Sequence, residues 1–194
     1  MNEPILKQYG VATDIQEILI PADEIQKKVD SLAQAISRDY LGRNPLVIGV
    51  LKGVLFFMAD LLRAITTPVE IDFMAVANYS PEYRLQGVVR LVKDLETPVA
   101  GRHLLFVEDV IDTGLTLNYI LATLRARQPA SLEICVLFNK PDHRLIDIPI
   151  KYRGFDLPDR FVVGYGLDYK ERYRNLPFLA LLKPEIFRGP PLRS

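Results

Sequence analysis

HLLFVEDVIDTGLTLNYILATLRAR, His103 to Arg127, is the stretch on which the reading of the chain turns. HLLFV (His103 to Val107) reads as a buried strand, two adjacent carboxylates follow at Glu108 and Asp109, and a helix is predicted over Leu115 to Arg127. The turn between strand and helix contains Asp112, Thr113, Gly114 and Thr116. Strand, polar turn and helix also recur on both sides. Upstream, LVIGVL (Leu46 to Leu51) is apolar throughout, as a strand buried on both faces should be, and Val54 to Ile65 supplies the next helix. VEIDFMAV (Val69 to Val76) is a further strand, and VVRLVKDL (Val88 to Leu95) a partner for it. Downstream, LEICVLF (Leu132 to Phe138) repeats the pattern, and FVVGY (Phe161 to Tyr165) is the last strand expected. Near the N-terminus, Ile25, Val29, Leu32, Ala33 and Ile36 recur at helical spacing between Pro21 and Tyr40. TDIQEILIP and NLPFLALL, toward the two ends, stay ambiguous. Alternating strands and helices define an α/β fold with a parallel β-sheet flanked by helices.

Composition supports this reading and removes several functions. A chain of 194 residues, 49% apolar and 25% charged, has the length and content of one globular domain. Lys plus Arg and Asp plus Glu number 24 each, so no global charge draws the molecule to nucleic acid or to a membrane surface. The longest apolar runs, such as VLFFM at Val54 to Met58, are too short to span a bilayer, and MNEPILKQYG has no signal-peptide pattern. A soluble, cytoplasmic protein is expected. Cys135 is the one cysteine, which leaves no internal disulfide and makes it a core residue.

In open parallel sheets ligands gather beyond the carboxyl ends of the strands. The turn at Asp112 to Thr116 is a phosphate cradle by construction, since free N–H groups at a helix start converge and the helix dipole adds positive potential there. It matches neither GxxxxGK[ST] nor GxGxxG. A helix cap by Asp112 or Thr113 is the plainer alternative, but it leaves Glu108 and Asp109 unexplained. Two carboxylates beside an anion site need a divalent cation or sugar hydroxyls to face, and a sugar phosphate chelating magnesium meets both needs. LKG (Leu51 to Gly53) adds a cation at Lys52 and a close backbone approach at Gly53.

LKG, VEDVIDTGLTL (Val107 to Leu117), FNKPDHR (Phe138 to Arg144) and FVVGYGLDYKERYRNLP (Phe161 to Pro177) together resemble the hypoxanthine-guanine phosphoribosyltransferases in order and approximate spacing. The likeness runs from about the first helix to Pro177. It implies the type I phosphoribosyltransferase fold as a single domain over 1–194, with a core of about 40–140 and a small hood built from about 1–20 and 141–185. It implies Mg2+-dependent transfer from 5-phosphoribosyl 1-diphosphate to hypoxanthine or guanine in purine salvage, giving IMP or GMP and pyrophosphate. Homodimers or homotetramers are expected, with no nucleic acid and no membrane as partners.

The resemblance also assigns roles. Asp112 is the general base at purine N7, and Glu108 and Asp109 hold ribose and magnesium. Asp112, Thr113, Gly114, Leu115 and Thr116 bind the 5-phosphate, with backbone donors standing in for the lysine that some relatives have at the Leu115 position. Lys52, Gly53 and Arg174 bind pyrophosphate. Lys140 donates to the 6-oxo group, Phe161 stacks on the purine, Val162 contacts its edge, and Asp168 lies at the pocket rim and helps to hold the metal. Lys140 disfavours adenine, whose 6-amino group offers donors to a donor. The lid falls on Asn78 to Gly87, where Tyr79 is kept and its neighbours depart from the family's small, flexible run. The family commonly has a cis bond at the position of Leu51–Lys52. His103 and His143 receive no role. Two alternatives stay open: a relative favouring xanthine and guanine or hypoxanthine alone, and a non-catalytic nucleotide-binding regulator of transcription that binds nucleic acid.

Overall fold

The structure, a computed structural model of the chain, describes residues 3–77 and 90–187. Tyr79 and the expected lid lie outside the described residues. The chain forms two compact units, Lys28–Asp159 and Met1–Lys27 with Arg160–Ser194.

In the larger unit, β2 (Leu46–Leu51), α3 (Leu55–Ala64), β3 (Glu70–Val76), β4 (Leu91–Lys93), β5 (His103–Ile111), α4 (Leu115–Arg125), β6 (Ser131–Asn139) and β7 (Tyr152–Asp156) follow one another. The strands make one six-stranded sheet in the order β4-β3-β2-β5-β6-β7. All neighbouring pairs are parallel except β3 with β4, which is antiparallel at the edge. A parallel sheet needs cover on both faces, and consecutive strand residues point to opposite sides. Leu46, Ile48, Leu104, Phe106, Ile134 and Val136 bury one face in a cluster with Leu117, Ile120, Leu121 and Leu124 of α4. On the other face Gly49 admits α3 closely: a Cβ there would lie 2.8 Å from Met58 Sδ and from Val54 Cγ1. Cys135 is buried in β6, and burial pushes its thiol well above the usual range.

The other unit holds α1 (Glu3–Gln8), β1 (Ile15–Ile20), β8 (Val162–Val163), β9 (Leu179–Leu182) and α5 (Pro184–Phe187). β1, β9 and β8 form an antiparallel sheet in that order. Leu6, Val11, Ile15, Val163, Tyr173, Leu176, Phe178, Ala180 and Leu182 make its core. The division between units falls inside α2 (Ala22–Asp39), whose Ile25, Val29, Leu32, Ala33 and Ile36 are buried as the helical spacing predicts. Among the described residues no helix is long and apolar enough to cross a membrane.

The structure corrects several expected boundaries. β5 runs on to Ile111, so Glu108 and Asp109 sit within the strand and not beyond it. VVRLVKDL is a strand only at Leu91–Lys93 among the described residues, and FVVGY only at Val162–Val163. Gly164 explains the second case: at φ +102° it turns the chain out of extended geometry. β7 was not foreseen.

Candidate active site

The sheet order reverses direction between β2 and β5: from β2 the chain proceeds outward to β3, and from β5 it proceeds the other way to β6 and β7. At such a reversal the loops leaving the two strands diverge and open a crevice at their carboxyl ends. The loop leaving β2 is Lys52–Gly53 and the one leaving β5 is Asp112–Gly114.

Gly53 and Asp109 are fitted to each other, because a Cβ on Gly53 would fall on the Asp109 carboxylate. The Leu51–Lys52 peptide bond is cis, and Leu55 N–H donates to Lys52 O at 3.2 Å to close the turn. Lys52 is exposed. Asp109 is buried and its Oδ1 accepts from the Val110 N–H at 2.9 Å. Glu108 is half-buried as a residue, but its Oε2 is sealed from solvent with no hydrogen-bond partner. Burial first, and the neighbouring Asp109 charge second, raise its carboxyl well above the usual range. An orphaned carboxylate oxygen next to a second carboxylate is a donor set that fits a hard divalent cation. Among the described residues no three acidic, His or Cys side chains converge as a metal cage. A cation held here would complete its shell with water and substrate oxygens, as hard divalent cations do on phosphates.

The turn after β5 brings Asp112, Thr113, Gly114, Leu115 and Thr116 together as expected. Gly114 is the residue before the first turn of α4, in left-handed geometry at φ +83°, and no side chain caps the helix from that position. Thr113 Oγ1 accepts from Leu115 N–H at only 3.4 Å. Asp112 points elsewhere, so the capping alternative does not account for it. First-turn N–H groups lack intrahelical acceptors, which leaves those of Thr116 and Leu117 for an anion, with Leu115 N–H held only by its long contact to Thr113 Oγ1. A side chain at Gly114 would be strained by its φ and would also meet Ile148 Cδ1 at 3.1 Å and Arg144 Cδ at 3.2 Å.

The segment after β6 is laced onto this turn. Lys140 N–H donates to Ile111 O and Leu145 N–H to Thr113 O, each at 3.0 Å. Arg144 reaches back to the buried Asn139 side chain, whose amide donates to Asp156 at 2.6 Å. Lys140 is half-buried at the start of this segment. His143, given no role by the sequence, lies in a short turn (Pro141–His143) and bridges two carboxylates: Nδ1 is 2.8 Å from Asp112 Oδ1 and Nε2 is 2.6 Å from Asp159 Oδ1. Asp159 and then Asp112 raise the imidazole above its usual value, and His143 holds the Asp159 carboxyl below its own. A histidine placed just past the end of a buried strand was the available signal. Its partners are 31 and 16 positions away, so spacing alone could not supply them.

Phe161, Val162, Asp168 and Arg174 belong to the smaller unit. Val162 is buried in β8, while Phe161 remains 38% exposed. The Phe161 ring stacks on Phe187 at 4.8 Å and meets Tyr169 edge-on at 5.7 Å. Asp168 and Arg174 are paired at 2.7 Å, and the second Asp168 oxygen accepts from Glu171 N–H at 2.9 Å. Arg174 Nη1 donates to Gly166 O at 2.8 Å and Nη2 lies 3.3 Å from Glu171. Its Nε is sealed without a partner.

A crevice at a strand-order reversal, edged by Glu108, Asp109 and the helix start after Gly114, is the arrangement expected of a phosphoribosyltransferase. Residues 19–170 match the family described as the phosphoribosyl transferase domain. The hypoxanthine-guanine phosphoribosyltransferase of Bacillus subtilis (strain 168) is 49% identical over 176 residues, covering 91% of this chain and 98% of that protein. That of Streptococcus agalactiae serotype V is 46% identical over 174 residues, covering 90% and 97%. A crystal structure of a hypoxanthine phosphoribosyltransferase from Staphylococcus aureus, 42% identical, superposes with a TM-score of 0.87 over 90% of this chain and 95% of that one. The chain belongs to the hypoxanthine-guanine phosphoribosyltransferase family.

Proposed function

We propose that the protein is a purine-salvage transferase that moves the 5-phosphoribosyl group of 5-phosphoribosyl 1-diphosphate onto hypoxanthine or guanine, giving IMP or GMP and pyrophosphate. The observation that carries this is the Asp112–Thr116 turn with the Lys140–Leu145 segment bonded to it through Leu145 N–H and to the end of β5 through Lys140 N–H. Such a pairing joins an anion site to an ammonium donor suited to a 6-oxo group. The names of close relatives agree with it.

In this reading the backbone of Asp112 to Thr116 holds the 5-phosphate, and Glu108 and Asp109 hold the ribose hydroxyls. Purine N9 bonds to the anomeric carbon as its bond to the pyrophosphate oxygen breaks, and Asp112 takes the proton from N7. Lys140 reads the 6-oxo group, Phe161 stacks on the ring, Val162 meets its edge, and Asp168 sits at the rim. Lys52, Gly53 and Arg174 receive the departing pyrophosphate, for which Arg174 has to exchange its present carboxylate partners. Enzymes of this family use a divalent metal. Here Glu108, Asp109 and Asp168 would hold it as Mg2+, and it would supply charge neutralisation on the leaving group. Tyr79 would belong to a lid that excludes water. The working form in this reading is a cytoplasmic homodimer or homotetramer, which light scattering on the purified protein measures.

The test is nucleotide formation from 5-phosphoribosyl 1-diphosphate and Mg2+ with hypoxanthine, guanine, xanthine or adenine offered separately. Rapid IMP and GMP formation with little AMP is the expected result. Turnover of xanthine and guanine alone would reassign the base pocket. Sugar-phosphate binding without turnover of any base would move the reading to a nucleotide-binding regulator.

A further inference from the structure

His143 is the titratable group at this site that the proposed reaction does not use. Its ring stands between Asp112, from the turn after β5, and Asp159, from the segment after β7. The other charges near it are Lys140 at the end of β6, whose charge acts on Asp159, and Asp142 and Arg144 within its own loop. Arg144 is turned to Asn139. A neutral imidazole has one donor and one acceptor nitrogen, so it can serve only one of two flanking carboxylates, and its lone pair faces the other. Both contacts are satisfied together only when the ring is protonated and donates twice.

We infer that His143 is a positioning residue for Asp112: as an imidazolium anchored by Asp159, it fixes Asp112 through Oδ1 and leaves Oδ2 to receive the purine proton. The inference rests on Asp112 being the base of the proposed reaction. It makes turnover dependent on His143 staying protonated. As pH rises through the His143 pKa, the ring becomes neutral, one bridge is lost and Asp112 is no longer held.

The protein has two histidines, so His143 can be followed by NMR once His143→Gln identifies its signals. The full chain should show His143 titrating above the ordinary value of 6.5, and Asp159→Asn and Asp112→Asn should each bring it down. With hypoxanthine as acceptor, the alkaline limb of kcat should follow the same pKa, and Asp159→Asn should move that limb to lower pH. His143→Ala should lower kcat about tenfold or more, with KM for 5-phosphoribosyl 1-diphosphate little changed, because small misplacements of a reacting group are costly. His143→Arg, a permanent cation, should recover much of the rate and abolish the limb. A His143 pKa indifferent to both aspartates overturns the bridge. A raised pKa together with an unchanged kcat profile in His143→Ala overturns the positioning role. Absence of turnover by the unaltered protein overturns the reaction itself and the role with it, while the NMR titration still reports on the bridge.

Discussion

The Asp112–Thr116 turn and the Gly164–Arg174 turn both carry charged groups suited to phosphate or metal, but they meet their ligands on different terms. In the first, the only left-handed residue is Gly114, where that geometry is free of Cβ strain, and Leu115 N–H at the helix start has only a long, 3.4 Å contact to Thr113 Oγ1. In the second, Tyr165, Lys170, Glu171 and Tyr173 all take positive φ, between 47° and 77°, which side-chain-bearing residues adopt rarely. Contacts have to hold them there. Tyr173 OH donates to Asp14 at 2.7 Å, Gly166 N–H donates to Arg174 O at 2.9 Å, and the Arg174 guanidinium is taken up by Asp168, Glu171 and Gly166 O. A ligand adds bonds to the first region, whereas in the second it must replace bonds already made. One is prepared and the other, Arg174 Nε apart, is self-satisfied.

Asp112→Asn tests the prepared side most severely. It should lower kcat by about 10²- to 10⁴-fold while calorimetry still detects sugar-phosphate binding, and unchanged turnover would remove Asp112 as the base. Gly53→Ala comes next, because the added methyl displaces the Asp109 carboxylate. A stability loss of about 1–3 kcal/mol is expected in denaturant titration, together with reduced turnover. On the self-satisfied side, Tyr173→Phe should cost about 1 kcal/mol, the usual value of one hydrogen bond. The cost depends on pH in a defined direction. The Tyr173 hydroxyl is the largest influence on the Asp14 carboxyl and lowers it, so the stabilisation is present above the ordinary value of 3.8 and fades as pH falls through the folded-state value. The difference between variant and parent should therefore shrink in acid. The smallest effect belongs to Glu171→Gln. Removing one exposed partner of Arg174 should tighten pyrophosphate binding only a few-fold, in line with the small worth of exposed ion pairs. A larger gain would mean that the self-pairing is a stronger gate than its exposure suggests.

The same contrast marks how far the sequence could be read. β2, β5 and β6 were legible from the apolar runs LVIGVL, HLLFV and LEICVLF, β3 from VEIDFMAV despite its exposed Glu70, and α3 and α4 as apolar stretches of helical length that follow strands. β7, YRGFD, has no such run. Its place is fixed by pairing with β6 and by Gly154, where a Cβ would strike the Leu137 carbonyl. β1 and β9 were ambiguous because each is completed by a partner at the far end of the chain, Ile15 opposite Leu182. The Asp112–Thr116 turn and LKG could be located because they follow recognisable strands. The fit of Gly53 against Asp109 and the bridge at His143 are relations between segments, and no local pattern encodes them.

The two backbone bonds from Lys140 and Leu145 to Ile111 and Thr113 have a practical corollary for protein engineering. A loop grafted at 140–145 replaces the residues that brace the Asp112–Gly114 turn. Such a transplant keeps its rate only if the donor loop presents amides at the same two positions and leaves Gly114 its space, so specificity swaps should carry the 111–114 turn along as one cassette.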